Sequence, residues 1–179
     1  MRVITGIAGG RRLEAPKGDD RVRPTTDRVK EALFSIINFD IPSTNVLDLF
    51  SGSGQLGIEA LSRGAKSATF VDNDPISCDL TKKNLQSCGL EALARVQRAD
   101  CLAFLNGTNE EFHIAFVDPP YYMDLYHKVL PLVAKKIAEG GIITCEHPTE
   151  VKLPDLEGFK TKDYKYGKII VTVFRKEVI

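Results

Sequence analysis

The stretch HIAFVDPPYY, residues 113–122, runs from an apolar segment, Ile114–Val117, into a carboxylate, two prolines and two tyrosines. Prolines have no N–H to give a strand ladder, so the chain must leave its sheet after Asp118. What stands at the strand end is a stiff shelf. The Asp118 carboxylate and the Pro119 carbonyl are acceptors, Pro119 and Pro120 restrict the backbone, and Tyr121 offers a flat ring. Residues of these types suit a planar group that donates from its edge and stacks through its face.

A second constellation lies upstream. VLDLFSGSGQLG places Gly52, Gly54 and Gly57 in a G-x-G-x-x-G pattern after an apolar segment and before a helical one. Glycines there allow a tight turn and let the backbone come close to a ligand. Asp72 ends the next apolar segment about 20 residues on, where a carboxylate accepts from both hydroxyls of a ribose. A nicotinamide dinucleotide and S-adenosylmethionine both present such a ribose. Asp48 separates them: its charge is unfavourable beside a pyrophosphate and favourable, directly or through water, beside a methionyl ammonium. Asp100 accepts from an adenine amino group or caps the helix CLAFL, and both roles stay open.

These residues need a sheet to hold them at one end. TNVLDLF, SATFVDND, ARVQRAD, HIAFVD and GIITCEH read as five short strands. TTDRVKEALFSIINF has helical apolar spacing, with Thr25 or Thr26 as its cap. QLGIEALSRGA reads as a helix ending at Gly64, and another starts at Pro75 and runs to about Cys88 before Gly89. LYHKVLPLVAKKIAEGG is expected to be a helix that tolerates Pro131. FKTKDYKYGKIIVTVFRK reads as two strands around Gly167, an antiparallel hairpin at the sheet edge. Residues 1–14 contain AGGRR, a Gly-Gly turn of the kind that joins a hairpin. Strand alternating with helix implies an α/β fold with a mostly parallel sheet covered on both faces.

Bulk properties fit a soluble globular chain. With 179 residues, one domain over 1–179 is expected, with a hairpin-and-loop extension at 1–24 before the core at 25–179. There is no run as long as a membrane span, and no secretory signal is expected at the start. The four cysteines are scattered without metal or redox spacing, and a cytoplasmic location without a metal site is expected. Net charge is zero, yet Arg2, Arg11, Arg12 and Arg21 crowd the N-terminal extension, where they suit RNA phosphates. Lys160, Lys162, Lys165 and Lys168 form a second basic cluster, which a solvated surface explains equally well.

Asp-Pro-Pro-Tyr after the fourth strand resembles the catalytic motif of methyltransferases that act on planar exocyclic amines. With RVITGIAGGRRLEAPKG, RPTTDRVKEALFSII, LDLFSGSGQLGIEALSRGA and FVDND, the chain resembles the RsmD family almost throughout. That family methylates the N2 amine of one guanine in 16S ribosomal RNA of the small subunit, using S-adenosylmethionine. The resemblance implies a Rossmann-like class I methyltransferase with a seven-stranded sheet, an antiparallel C-terminal edge hairpin and a small N-terminal β-hairpin. It assigns Asp118, Pro119, Pro120 and Tyr121 to catalysis. It places Arg23, Pro24, Thr25 and Thr26 at the cofactor's methionine end and the mouth of the site. Asp48, Gly52 and Gly54 would hold the amino-acid part, Asp72 the ribose, and Asp100 with Cys101 the adenine edge. Asn73 takes a position where an apolar residue often packs on adenine, and Gln55 one where a small residue is usual. The implied partner is 16S ribosomal RNA within an assembled or assembling small subunit, met by a monomer. Three rivals share features: a DNA amino-methyltransferase, a nicotinamide-dependent oxidoreductase, and a non-catalytic ribosome-assembly binder. The first usually needs a separate recognition region, and the shelf is hard to explain in the other two.

Overall fold

Five apolar segments pair side by side as β1 (Asn45–Leu49), β2 (Ser67–Asp72), β3 (Ala94–Arg98), β4 (Phe112–Val117) and β5 (Ile137–Pro148). They belong to a computed structural model that describes residues 1–17, 26–120 and 124–179. β6 (Phe159–Tyr166) and β7 (Ile169–Lys176) complete a seven-stranded sheet of order β3-β2-β1-β4-β5-β7-β6. The first five strands are parallel, and β7 lies antiparallel between β5 and β6. The α/β class, the mostly parallel sheet and the C-terminal hairpin are as expected. From β1 the chain winds outward through β2 and β3, then returns to place β4 on the other side. That reversal opens a crevice at the carboxyl ends of β1 and β4, the usual ligand position in an open parallel sheet.

Strand residues alternate between two cores. Val46, Ala68, Phe70, Ile114 and Phe116 face α1 (Asp27–Ile36), α2 (Gln55–Ser62) and α3 (Pro75–Cys88). Leu47, Leu49, Val71, Ala115 and Val117 face α4 (Cys101–Gly107) and α5 (Tyr126–Ala134). Both faces are therefore covered, and near-continuous apolar strands are what a parallel sheet requires. Helix ends follow local chemistry. Thr26 caps α1 by accepting from Val29 N at 3.3 Å, Asp74 caps α3 ahead of Pro75, and Gly89 ends it at φ 68°.

The long helix expected up to Gly141 is shorter. α5 stops at Ala134, and Ile137 already pairs with Phe112 as the start of β5. Ile137, Ala138 and Ile142 fit a strand as well as a helix, and the two glycines form a bulge rather than a helix cap. Gly140 has φ 74°, and a Cβ on Gly141 would sit 2.8 Å from the His113 carbonyl oxygen. The ladder accordingly slips between Phe112 and Ile114.

The N-terminal extension makes one antiparallel bridge, Arg2 with Arg12, closed by Val3 N to Arg11 O at 2.9 Å and Gly10 N to Val3 O at 2.8 Å. Its turn is wider than a two-residue Gly-Gly turn and is held from outside. Glu59 of α2 accepts from Ile4 N at 2.7 Å and Thr5 N at 3.1 Å, and Ser62 Oγ accepts from Ala8 N at 3.0 Å. A Cβ on Gly6 would lie 1.9 Å from the Ser62 carbonyl oxygen, so only glycine fits there. Lys30 of α1, fully buried, donates to the Arg2 carbonyl at 2.8 Å and lies 3.3 Å from Glu59 Oε1. Burial lowers the Lys30 pKa, and Glu59 opposes that shift.

Candidate active site

The register puts the polar strand ends in one row. Val117 lies beside Leu49, Leu49 beside Val71, and Val71 beside Gln97. The next residue on each strand emerges at the carboxyl rim, so Asp72 and Asp118 flank the loop after β1 at the same height. Two strand spacings separate them, roughly 10 Å.

That loop is strained and tightly anchored. Phe50 has φ 64°, unusual for a bulky residue and worth about 1–3 kcal/mol of strain. Gly52 and Gly54 follow at φ 55° and 81°. Gly52 N donates to Asp72 Oδ2 at 3.0 Å, and Asp74 N donates to Asp72 Oδ1 at 3.0 Å. Each carboxylate oxygen keeps a lone pair for a further donor. Nothing lies within 4 Å of a Cβ built on Gly52, so the backbone is open to a ligand there. On Gly57 the same Cβ would lie 2.4 Å from Phe70 Cε1, so the third glycine serves close helix–sheet packing. Ser51 Oγ is buried and has no hydrogen-bond partner among the described residues.

Two residues of α3 were not singled out from the sequence. Thr81 and Asn84 are fully buried, and they grip the glycine loop from below. Thr81 Oγ1 donates to the Gly52 carbonyl at 2.7 Å, and Asn84 Nδ2 donates to the Ser53 carbonyl at 2.9 Å. Asn84 Oδ1 also accepts from Glu14 N at 2.8 Å, joining loop and N-terminal extension. Polar residues three apart in a helix are common, so their spacing carried little signal.

Asp48 sits beneath the loop with 2% of its surface exposed, and Oδ2 accepts from Gly57 N at 2.9 Å. Burial pushes its carboxyl up to about 8; the Gly57 N–H works against that, and the Asp72 charge adds to it. Asp100 is exposed and caps α4, accepting from Ala103 N at 3.0 Å, which leaves other lone pairs facing out. Cys101 is half-buried, and burial raises its thiol pKa. Asn73 is exposed, and its carbonyl accepts from Arg98 Nε at 3.3 Å.

On the other side of the crevice, Asp118 is half-buried and Pro119 buried at the end of β4. Val117 pairs with Cys145, so Glu146 of β5 stands beside Asp118. Behind them lies Tyr126 of α5, 2% exposed, whose hydroxyl donates to the Glu146 carbonyl at 3.1 Å. Burial raises the Tyr126 phenol and Cys145 thiol pKa values, and the Asp118 charge raises both further. In the sequence Tyr126 is one residue of a helical segment; its position behind the shelf depends on tertiary packing.

Arg2, Arg11 and Arg12 are exposed on the extension, Arg2 within 3.9 Å of Asp27. Arg21, Arg23, Pro24, Thr25 and Tyr121 lie outside the described residues. Thr26 is described, but its hydroxyl is engaged as the α1 cap.

A donor set of this kind fits S-adenosylmethionine. The open backbone over Gly52, the unpartnered Ser51 hydroxyl, the two-acceptor Asp72 and the buried Asp48 match its ribose and amino-acid ends. The strand order, with antiparallel β7 between β5 and β6, also departs from the 3-2-1-4-5-6 order usual in dinucleotide-binding sheets.

A protein-family model described as Conserved hypothetical protein 95 matches residues 1–175. The chain is 39% identical to YlbH of Bacillus subtilis over 183 residues, 98% of this chain and 99% of that one. It is 38% identical over 157 residues to the Escherichia coli protein named Ribosomal RNA small subunit methyltransferase D, spanning 86% of this chain and 78% of that protein. The solved structure of yhhF from Escherichia coli superposes with a TM-score of 0.88 at 32% identity, over 99% of this chain and 98% of that one.

Proposed function

The chain belongs to the family described as Conserved hypothetical protein 95, and from that premise we propose that it methylates the exocyclic N2 amine of one guanine in small-subunit 16S ribosomal RNA, with S-adenosylmethionine as donor. The small-subunit methyltransferase named among its relatives supports the RNA class. The observation that carries the chemistry is the pair Asp72 and Asp118, at one height on either side of the open glycine loop.

When bound, the cofactor supplies a methyl group made electrophilic by a sulfonium. Asp72 accepts from the ribose hydroxyls, and Gly52 lets the backbone lie against the ligand. Asp48 accepts from the methionyl ammonium, directly or through water, and Asp100 with Cys101 borders the adenine. An exocyclic amine is a poor nucleophile because its lone pair is delocalised into the ring. Asp118 and the Pro119 carbonyl take its two N–H bonds, turn the lone pair toward the crevice and stabilise the positive charge that develops on nitrogen. Pro119 and Pro120 keep this geometry with little to freeze. Tyr121 supplies the stacking face, and Arg23, Pro24, Thr25 and Thr26 border the mouth. A guanine N2 is reached only in an unpaired or flipped base. Arg2, Arg11, Arg12 and Arg21 hold the flanking phosphates, and a monomer acting on an assembled or assembling subunit suffices.

The test is transfer of a labelled methyl group to small subunits lacking the modification, with protein-free 16S RNA and duplex DNA alongside. Label recovered as N2-methylguanosine and lost with Asp118→Ala supports the reading. Label in DNA alone, or at another base position, overturns it.

A further inference from the structure

The C-terminal lysines have no part in the crevice, yet β6 sorts them. Alternate residues of a strand face opposite sides. Lys160, Lys162, Tyr164 and Tyr166 share one face, while Thr161, Asp163 and Lys165 share the other. Lys160 and Lys162 are exposed, and Tyr164 and Tyr166 are half-buried against the core beneath α1 and α2. Lys162 Nζ lies 5.1 Å from the centre of the Tyr164 ring, so cation and aromatic face form one surface. Asp163, the one acid in the strand, is turned away and accepts the Thr172 hydroxyl at 2.7 Å. Lys168 extends the positive edge into the turn after β6.

The register ties this stripe to the catalytic rim. Val117 pairs with Cys145, Cys145 with Thr172, and Thr172 with Asp163. One step toward the rim the row reads Asp118, Glu146, Val171, Tyr164. Tyr164 is therefore three strand spacings from Asp118, roughly 14 Å. Tyr166 is nearer the rim still, opposite Ile169, which pairs with Pro148.

We propose that this face of β6 is a second RNA-contact surface, which holds single-stranded nucleotides flanking the target base. The proposal rests on the RNA-methyltransferase reading. Lys160, Lys162 and Lys168 follow the phosphates, and Tyr166, with Tyr164 beside it, receives a base. Two lysines followed by two tyrosines on one face match the two things a single strand offers, charged phosphates and the π faces of bases. Edge-strand lysines also deter strand pairing, a role that any charge would fill. Tyrosines held half-buried beside them add a stacking surface that such deterrence does not need.

The experiment measures equilibrium binding to protein-free 16S ribosomal RNA over a salt series, and KM and kcat for methyl transfer to unmodified small subunits. The variants are Lys160→Glu with Lys162→Glu, Tyr166→Ala and Tyr166→Phe. Charge reversal keeps the strand edge charged, so solubility is preserved while phosphate attraction is inverted. It should weaken RNA binding at least tenfold and flatten the slope of log affinity against log salt by about 1.4, two phosphate contacts' worth. Tyr166→Ala should weaken binding by roughly five- to a hundredfold, and Tyr166→Phe should leave it near wild type. In the charge-reversed protein KM should rise with kcat, S-adenosylhomocysteine affinity and Tm unchanged. Unaltered RNA affinity and salt slope in the charge-reversed protein would sink the proposal while leaving the methyltransferase reading intact. Wild-type protein that binds RNA through this stripe but transfers no methyl group would overturn that reading instead. Wild-type protein that neither binds RNA nor transfers a methyl group to small subunits overturns both.

Discussion

Asp48 lies within β1 beneath the loop and Asp118 at the strand end, and their surroundings give the two carboxylates different work. Asp48 is sealed under the loop, with its carboxyl raised from 3.8 to about 8. Between those values the unfolded chain releases a proton that the folded one keeps, so the contribution of Asp48 to stability is full below pH 4 and declines as pH rises toward 8. Asp48→Asn should flatten that decline, and thermal unfolding of the ligand-free protein across pH 4–8 would measure it. An ammonium placed against Asp48 favours its ionised form. S-adenosylhomocysteine affinity should therefore climb from pH 6 to 8 with proton release, seen by calorimetry in buffers of different ionisation heat. The Asn variant should bind about tenfold more weakly and without that release. Asp118 is half-buried at the end of β4. Asp118→Asn keeps the shape but lacks the charge for a developing cation, so kcat should fall on the order of 10²–10³-fold with cofactor affinity unchanged. A comparable loss of cofactor binding would assign Asp118 to the wrong ligand.

At the scale of elements, the N-terminal extension and α2 stand or fall together. Glu59 is fully buried and serves Ile4 N, Thr5 N, Lys30 and Arg63 Nε, the last at 3.0 Å. Removing it strands a buried ammonium and two backbone donors, at a cost of about 3–5 kcal/mol. Glu59→Ala should expose the Arg11–Arg12 bond to trypsin well below the global unfolding temperature, and limited proteolysis would show it. Cleavage no faster than wild type would mean the extension is held without Glu59, by Val3, Ala8 and Leu13 and by its bonds to Ser62 and Asn84. The elements legible in the sequence were those that end on local chemistry, such as Pro75 and Gly89 around α3 or the glycines after β1. Asp72 and Asp118 were legible because a carboxylate closing an apolar run is conspicuous. Thr81, Asn84 and Tyr126 were not, because only packing gives them their partners. The start of β5 was misread because two glycines in a bulge look like the end of a helix.

Across the whole molecule, a neutral total charge conceals positive regions at opposite ends of the chain. A ligand that binds only the folded form stabilises it by about 2.7 kcal/mol at one hundred times its Kd. For a chain of this size that is roughly 5–11 °C in Tm. S-adenosylhomocysteine should produce such a shift and NADH none; the reverse result would restore the oxidoreductase. The extension's attachments also set an order of events during synthesis. Ile4 and Ala8 find their side-chain acceptors 55 and 54 residues later, and Glu14 finds Asn84 70 residues later. At about 5–20 residues per second, that last partner arrives roughly 4–14 s after Glu14 is made. The arginine-bearing arm is thus made early and docked late, and for those seconds its cationic surface is presented by a nascent chain still attached to the ribosome that is making it.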